Sequence, residues 1–97
     1  MKPSKVIIAT DKEYSEDYEY ILEKLFNRKI ELFCAWGKHC GQWETAMDLY
    51  VTDPERYNEN HHITTTSHND ESFDYVMNMA ELWFTENGNC EVEKIKL

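Results

Sequence analysis

Cysteine, glycine and long apolar runs are all scarce in this chain, and each shortage excludes a class of protein. The three cysteines include no CxxC pair, which argues against both a disulfide framework and a structural zinc finger. The three glycines form neither a GxGxxG nor a Walker pattern, so the two common phosphate-binding motifs are missing. No apolar run approaches the roughly 20 residues that a membrane-spanning helix needs. The apolar stretch 6–9 is also too short for a signal peptide, and we therefore expect a cytoplasmic protein without membrane association.

Basic side chains are scarce as well. The chain has 10 Lys and Arg residues against 19 Asp and Glu residues, which gives a formal net charge of −9. Nucleic-acid binding depends on cationic contacts with phosphate, so we expect no direct binding of nucleic acid. Two interpretations of the acidity remain open. It either keeps the protein soluble, or it forms a surface complementary to a basic protein partner such as a nuclease.

What the chain does contain is the composition of a folded domain. Its 97 residues leave room for a single domain over 1–97. Hydrophobic residues make up 41% and charged residues 30% of the chain, which is typical of an ordered globular protein rather than a disordered one. The core of so short a chain must draw heavily on its aromatic side chains. We expect a monomer or a homodimer.

Strand-like and helix-like patterns alternate along the chain. Strands are predicted at residues 5–9, 30–36, 61–66 and 90–97. Helices are predicted at residues 10–28, 43–50 and 73–84. The first helix is predicted to begin at a capping box formed by Thr10 and Glu13, and the third to stop at Asn87 and Gly88. The apolar alternation of the last strand slips by one residue, which indicates a bulge near Glu93.

This β-α-β-α-β-α-β succession predicts an α/β fold. We expect a small, open, mainly parallel four-stranded sheet with helices on both faces and right-handed crossovers. The favoured strand order is 2-1-3-4, with the last strand at an edge in either direction. The charged residues of that strand suit an edge position.

The carboxyl ends of parallel strands meet at one edge of a sheet, which we call the rim. Three segments are expected to meet there, namely residues 10–11, 36–40 and 67–71. Their polar and aromatic side chains are the candidate site residues Asp11, Trp36, Lys38, His39, Cys40, His68, Asp70 and Glu71. Trp36, if half-exposed beside the rim, would contact a partner or a planar ligand.

The first interpretation of the rim is a Cys/His catalytic site. Cys40 lies near the start of the second helix, whose dipole would favour the thiolate, and His68 would take its proton. Asp70 or Asp11 would then orient the imidazole. In the alternative, structural interpretation, Cys40 packs under Trp43 and His68 helps to cap the third helix.

A metal site is the second interpretation. His39, Cys40 and His68 offer nitrogen and sulfur ligands of the types that bind metal ions. His61 and His62 lie at the opposite end of their strand and cannot share an ion with His68. The third interpretation is an anion site, in which the turn 37–41 opens a helix with free N–H groups.

In the anion interpretation, Lys38 would assist those free N–H groups. The carboxylates of Asp11, Asp70 and Glu71 act against it, because they would repel an anion. The sequence signal for such a site is the turn alone, without a phosphate-binding motif.

The segment AWGKHCGQWETAMD and the later ITTTSHNDESFDYVMNMAELW resemble a family of short uncharacterised bacterial proteins with a domain of unknown function. The shared pattern is W-G-x-x-C-x-x-W, an acidic helix position and T-T-x-H-x-x-E. It falls on Trp36, Gly37, Cys40, Trp43, Asp48, Thr65, Thr66, His68 and Glu71. The family pattern often has an aromatic residue where Ser67 stands and an acid where His39 stands. The resemblance implies an α/β fold and a rim containing Cys40, His68 and Glu71, and it implies no activity.

Two classes of function follow. We expect a small acidic binding protein, of the immunity or host–phage conflict inhibitor type, that acts through contacts with a basic protein partner. The expected contact residues are Asp11, Trp36, Lys38, His39, Glu16, Glu19 and Glu23. The alternative is a small Cys/His enzyme or ligand-binding domain. Its site residues would be Cys40, His68, Asp70 and Glu71. We expect neither a metal ion nor a cofactor.

Overall fold

A computed structural model describes residues 3–56, 61–85 and 91–97. The elements, in chain order, are β1 (Lys5–Ala9), a 3₁₀ turn (Glu16–Tyr18), α1 (Glu19–Asn27), β2 (Leu32–Trp36), α2 (Cys40–Thr52), β3 (Thr64–His68), α3 (Phe73–Leu82) and β4 (Val92–Lys96). The predicted succession of strands and helices is confirmed, although β3 lies further along the chain than predicted. The predicted stop at Asn87 and Gly88 and the predicted start of the last strand at residue 90 lie outside the described residues. Within the described ranges, no helix has the length and hydropathy needed to cross a membrane.

All four strands run parallel in one open sheet with the order β3-β2-β1-β4. The α/β class and the edge position of the last strand are confirmed, but the predicted order 2-1-3-4 is wrong. Burial accounts for the difference. Every residue of β1 and most of β2 are buried, so these two strands take the centre of the sheet, where both faces are covered. The residues of β3 and β4 are only partly buried or exposed, which suits the two edges.

The helices cover both faces of the sheet, as predicted. On one face, Val6 and Ile8 of β1 pack with α1 and α2 in the larger core cluster, which includes the fully buried Trp43. On the other face, Ile7 of β1 packs with Val76 of α3. The alternation along β1 therefore assigns α1 and α2 to one layer and α3 to the other.

The first helix begins later than predicted because Trp43 organises the segment in front of it. The Trp43 Nε1–H donates a hydrogen bond to the Lys12 carbonyl at 2.9 Å, and the Tyr14 ring makes an edge contact with the indole at 5.1 Å. The Thr10 hydroxyl accepts from the N–H of Lys12, so the predicted capping box of Thr10 and Glu13 is wrong. A tertiary contact with a buried aromatic side chain has overridden a local helix-start signal.

The last strand is regular. It pairs with β1 in unbroken register from Lys5 opposite Val92 to Ala9 opposite Lys96, so the bulge predicted near Glu93 is wrong. Both faces of β4 are used, and the α3 face carries Val92, Lys94 and Lys96, whereas the α1 face carries Glu93, Ile95 and Leu97. The apparent slip in the apolar alternation is therefore a change of face rather than an extra residue.

A buried lysine meets the end of α3. Lys5 is fully buried, and its Nζ donates to the carbonyls of Glu81 at 3.0 Å and Trp83 at 3.1 Å. A positive charge is favourable at a helix C-terminus, where carbonyl groups lack partners within the helix. Lys5 thus fixes α3 against the centre of the sheet and helps to end the helix at Leu82.

Candidate functional site

The three segments predicted to form the rim lie side by side. The backbone N–H of Thr10 donates to the Trp36 carbonyl at 3.1 Å, and Trp36 faces His68 in the β2–β3 register. The Trp36 Nε1–H donates to the Glu71 carbonyl at 2.7 Å. The half-buried Trp36 therefore ties the ends of β1, β2 and β3 together.

Gly37 makes this close approach possible. Its φ is +129°, and a Cβ at this position would lie 1.9 Å from the Thr10 carbonyl oxygen. A side chain would therefore collide with backbone that cannot move without disturbing β1, and the φ itself strongly favours glycine. Contact with the Thr10 backbone, rather than ligand chemistry, therefore explains why glycine follows β2.

His68 is held firmly on the α3 side of the rim. Its Nδ1 lies 2.6 Å from the Glu71 carboxylate and its Nε2 lies 2.9 Å from the Thr66 hydroxyl. Since a carboxylate only accepts, Nδ1 carries a proton, and in the neutral ring Nε2 accepts from Thr66. The side chain of His68 lies close to the surface, with 11% of its area exposed. Both of its ring nitrogens already have hydrogen-bond partners.

Cys40 lies on the other face of the sheet. It is 4% exposed and belongs to the core cluster of α1 and α2 together with Trp43. His68, in contrast, faces Trp36, which packs in the cluster of α3. The structure therefore brings Glu71 to His68 but does not bring Cys40 to either of them.

The remaining predicted residues lie at the surface of the rim. Asp11, Lys38 and Asp70 are exposed, and His39 is half-buried. His39 is the N-cap residue of α2, and its side chain makes no capping hydrogen bond. In the part of the chain that the structure describes, no three His, Cys, Asp or Glu side chains converge as metal ligands do.

The second described cysteine is buried as well. Cys34, in the middle of β2, has no exposed surface. Burial raises the pKa of its thiol, and a hydrogen bond from Thr66 and the charge of Lys5 offset this only in part. A buried thiol with a raised pKa is a packing residue rather than a nucleophile.

A crevice of about 320 Å³ opens at the rim between β1 and β4. Its lining residues include Thr10, Asp11, Trp36, Phe73, Lys94 and Lys96. The Trp36 and Phe73 rings lie 5.5 Å apart in an edge-to-face arrangement, and the Lys94 Nζ lies 4.2 Å from the Phe73 ring centre. This crevice exists because β4 pairs with β1.

The sequence analysis did not predict five lining residues of the crevice, namely Ala9, Phe73, Lys94, Lys96 and Leu97. With the order 2-1-3-4, the last strand would have lain beside β3 and away from Asp11. A signal for the actual order was the contrast between β1, which is apolar over residues 6–9, and the polar third strand. That contrast favours an edge position for the third strand.

A second feature is the acidic stripe, defined as Glu16, Glu19, Tyr20 and Glu23. All four residues are exposed, and Tyr20 has 60% of its surface accessible. Their spacing from the 3₁₀ turn into α1 places them along one side of the helix, pointing away from the core. Because α1 follows a parallel strand, the stripe begins near the rim and runs away from it.

Among the described residues, no ion pair neutralises the acidic stripe. The ion pairs among the described residues join Arg28 to Glu93 and Arg56 to Asp53. The His68–Glu71 contact is an ion pair only when the imidazole is protonated. None of them includes a carboxylate of the acidic stripe.

Neighbouring tyrosines register the negative field of the stripe. The pKa of Tyr14 is raised by burial first and then by the negative charges of Glu19 and Glu16. Burial also raises the pKa of Tyr50, where Arg56 opposes the effect and Glu23 and Glu19 reinforce it. The carboxylates of the stripe thus act together on the groups around them.

Comparison with known proteins places the chain in a family. No curated protein and no solved structure is significantly similar to it. A family model described as a domain of unknown function, DUF7684, matches residues 1–95. That match spans nearly the whole chain, and it confirms the expected kind of family, a domain of unknown function. The chain therefore belongs to the DUF7684 family.

Proposed function

We propose that this protein is a small acidic binding protein of the cytoplasm that engages a basic protein partner through the acidic stripe. In this proposal it acts as an inhibitor of the immunity or host–phage conflict type. The observation that carries the proposal is an exposed tyrosine surrounded by three carboxylates without ion-pair partners in the described structure. Aromatic anchors within a charged border are typical of protein-binding surfaces.

The energetics of α1 support a binding role for the stripe. Glu19 and Glu23 are four residues apart on one helix, and like charges at this spacing destabilise a helix by about 0.2–0.5 kcal/mol. Glu19 lies in the first turn of α1, where the helix dipole favours a carboxylate, but Glu23 lies beyond that turn and only adds to the repulsion. Helix stability therefore does not account for Glu23, whereas attraction of a basic partner does.

The geometry of the rim supports binding over Cys/His catalysis. Cys40 is buried in the α1/α2 core, while His68 has both nitrogens engaged on the opposite face of the sheet. A nucleophile and its base must come within about 3 Å of each other, directly or through one water. Cys40 and His68, on opposite faces of the sheet, do not have this arrangement.

The residues at the rim that we propose as further contacts with the partner are Asp11, Trp36, Lys38 and His39.

Affinity capture from the source cells tests the proposal. The wild type is compared with Glu16→Lys/Glu23→Lys in the stripe and with Asp74→Lys/Glu81→Lys as the matched control. The control pair is exposed on α3 and changes the net charge by the same amount. Circular dichroism verifies that all three proteins are folded.

We expect the wild type and the control to recover the same basic protein in similar amounts. The stripe variant should bind the partner about 30-fold more weakly and recover correspondingly less, since two reversed contact charges at roughly 1 kcal/mol each cost about 2 kcal/mol. Equal recovery by the stripe variant, or loss of the partner with the control alone, would contradict the proposal.

A further inference from the structure

The crevice between β1 and β4 lies where ligands bind in open α/β sheets. The chain adds β2 and then β3 on one side of β1 and returns to add β4 on the other side. The strand order therefore reverses between β1 and β4, and ligands of such sheets bind outside the carboxyl ends of the strands at that point. The crevice of about 320 Å³ opens at this position.

The lining of the crevice is more basic than the molecule as a whole. Within a chain of net charge −9, Lys94 and Lys96 both line the crevice. They are two residues apart on a strand, so both side chains lie on the α3 face. Asp11 also lines the crevice, and its carboxylate can accept hydrogen bonds from hydroxyl or amino groups of a ligand.

The walls of the crevice are aromatic. The Trp36 and Phe73 rings meet edge to face at 5.5 Å, and the Trp36 indole N–H is already bonded to the Glu71 carbonyl. That bond fixes the orientation of the indole before any ligand arrives. Fixed aromatic rings beside cationic groups suit a ligand that carries both a planar ring and an anionic group.

We propose that this crevice binds a small anionic ligand with a planar ring and hydroxyl groups, of the size and chemistry of a nucleoside monophosphate. Lys94 and Lys96 hold the phosphate, Asp11 accepts from the hydroxyl groups, and the ring packs on Trp36 and Phe73. A crevice of this volume lies at the lower end of the roughly 300–1,000 Å³ typical of ligand sites, which favours a mononucleotide over a dinucleotide. The site is separate from the acidic stripe, although it shares Asp11 and Trp36 with the proposed contacts at the rim. It does not rest on the proposed protein partner.

Calorimetric titration of the intact protein with AMP tests the site. Adenosine, which lacks the phosphate, and ribose 5-phosphate, which lacks the ring, are titrated in parallel. A dissociation constant on the order of 10–100 μM is expected for AMP, given the usual binding energy per ligand atom. Adenosine and ribose 5-phosphate should each bind at least tenfold more weakly.

Matched variants assign the contacts. Lys94→Gln/Lys96→Gln should weaken AMP binding at least tenfold, whereas Lys24→Gln/Lys29→Gln, with the same change of charge on exposed residues, should change it less than twofold. Phe73→Leu should weaken AMP several-fold, because the ligand ring loses a packing surface, and should weaken ribose 5-phosphate less, since only the Lys94 contact with the ring is then lost.

Three results would overturn the proposal. They are the absence of AMP binding at millimolar concentration, equal affinity for AMP and adenosine, and unchanged AMP binding by Lys94→Gln/Lys96→Gln. Each variant is first verified by circular dichroism and thermal unfolding, so that a loss of binding refers to a folded protein. None of these outcomes depends on whether a protein partner binds the stripe.

Discussion

Gly37 and Gly41 stand four residues apart at the rim, yet the structure assigns them opposite sensitivities. Gly37 has a positive φ and sits against the Thr10 carbonyl, whereas a Cβ at Gly41 would meet nothing within 4 Å. Gly37→Ala should therefore lower the free energy of unfolding by about 3 kcal/mol or more. Gly41→Ala, inside α2, should raise it by about 0.5–1 kcal/mol.

Urea denaturation of the two variants measures this contrast. Because both substitutions add the same methyl group, any general effect of alanine cancels between them. Similar stability changes for the two variants would mean that the rim is not built around the Gly37–Thr10 contact.

The described cysteines should be unreactive in the folded protein. Cys34 and Cys40 are buried, and burial raises the pKa of Cys34 above its ordinary 9.0. Iodoacetamide at neutral pH should alkylate both much more slowly than a free peptide thiol and label them fully only after unfolding. Peptide mapping by mass spectrometry assigns the label to each residue. Rapid labelling of Cys40 in the native state would contradict this prediction and would favour the alternative of a Cys/His enzyme.

Within α1, we expect that removing a negative charge from the acidic stripe stabilises the folded protein. Glu23→Lys replaces the repulsion between positions 19 and 23 with an attractive pair in its favourable orientation. The free energy of unfolding should rise by roughly 0.5 kcal/mol. Glu55→Lys, an equal charge change at an exposed position beyond α2, is the control, and a destabilised Glu23→Lys would contradict this view of α1.

The elements also show which parts of the fold the sequence predicts. The apolar runs of β1 and β2 and the periodicity of α1 and α3 are strong enough to predict the alternating α/β succession. The start of α1 is not predictable in this way, because the Trp43–Lys12 hydrogen bond joins residues that are far apart in the sequence.

The strand order was harder to predict than the strands themselves. A run such as β3 indicates extended structure but does not say which neighbour it pairs with. The prediction that three segments meet at the rim did not depend on the strand order, because the carboxyl ends of parallel strands lie at one edge of the sheet in either order. The crevice, with Lys94 and Lys96, requires the actual order.

At the scale of the whole molecule, net charge governs how a partner approaches. A protein of net charge −9 should attract a basic partner over distances up to the Debye length, about 10 Å at 0.1 M salt. The association rate with the captured partner should therefore fall steeply between low and high salt, while the dissociation rate changes little. Stopped-flow kinetics measures both rates, and a salt-independent association rate would contradict electrostatic steering.

The most direct test of the central claim is an NMR titration of the ¹⁵N-labelled protein with the captured partner. We expect the largest amide shift changes to fall on residues 16–23 and to diminish in Glu16→Lys/Glu23→Lys. Shift changes confined to the outer side of α3 around Tyr75 and Leu82, with residues 16–23 unmoved, would contradict it.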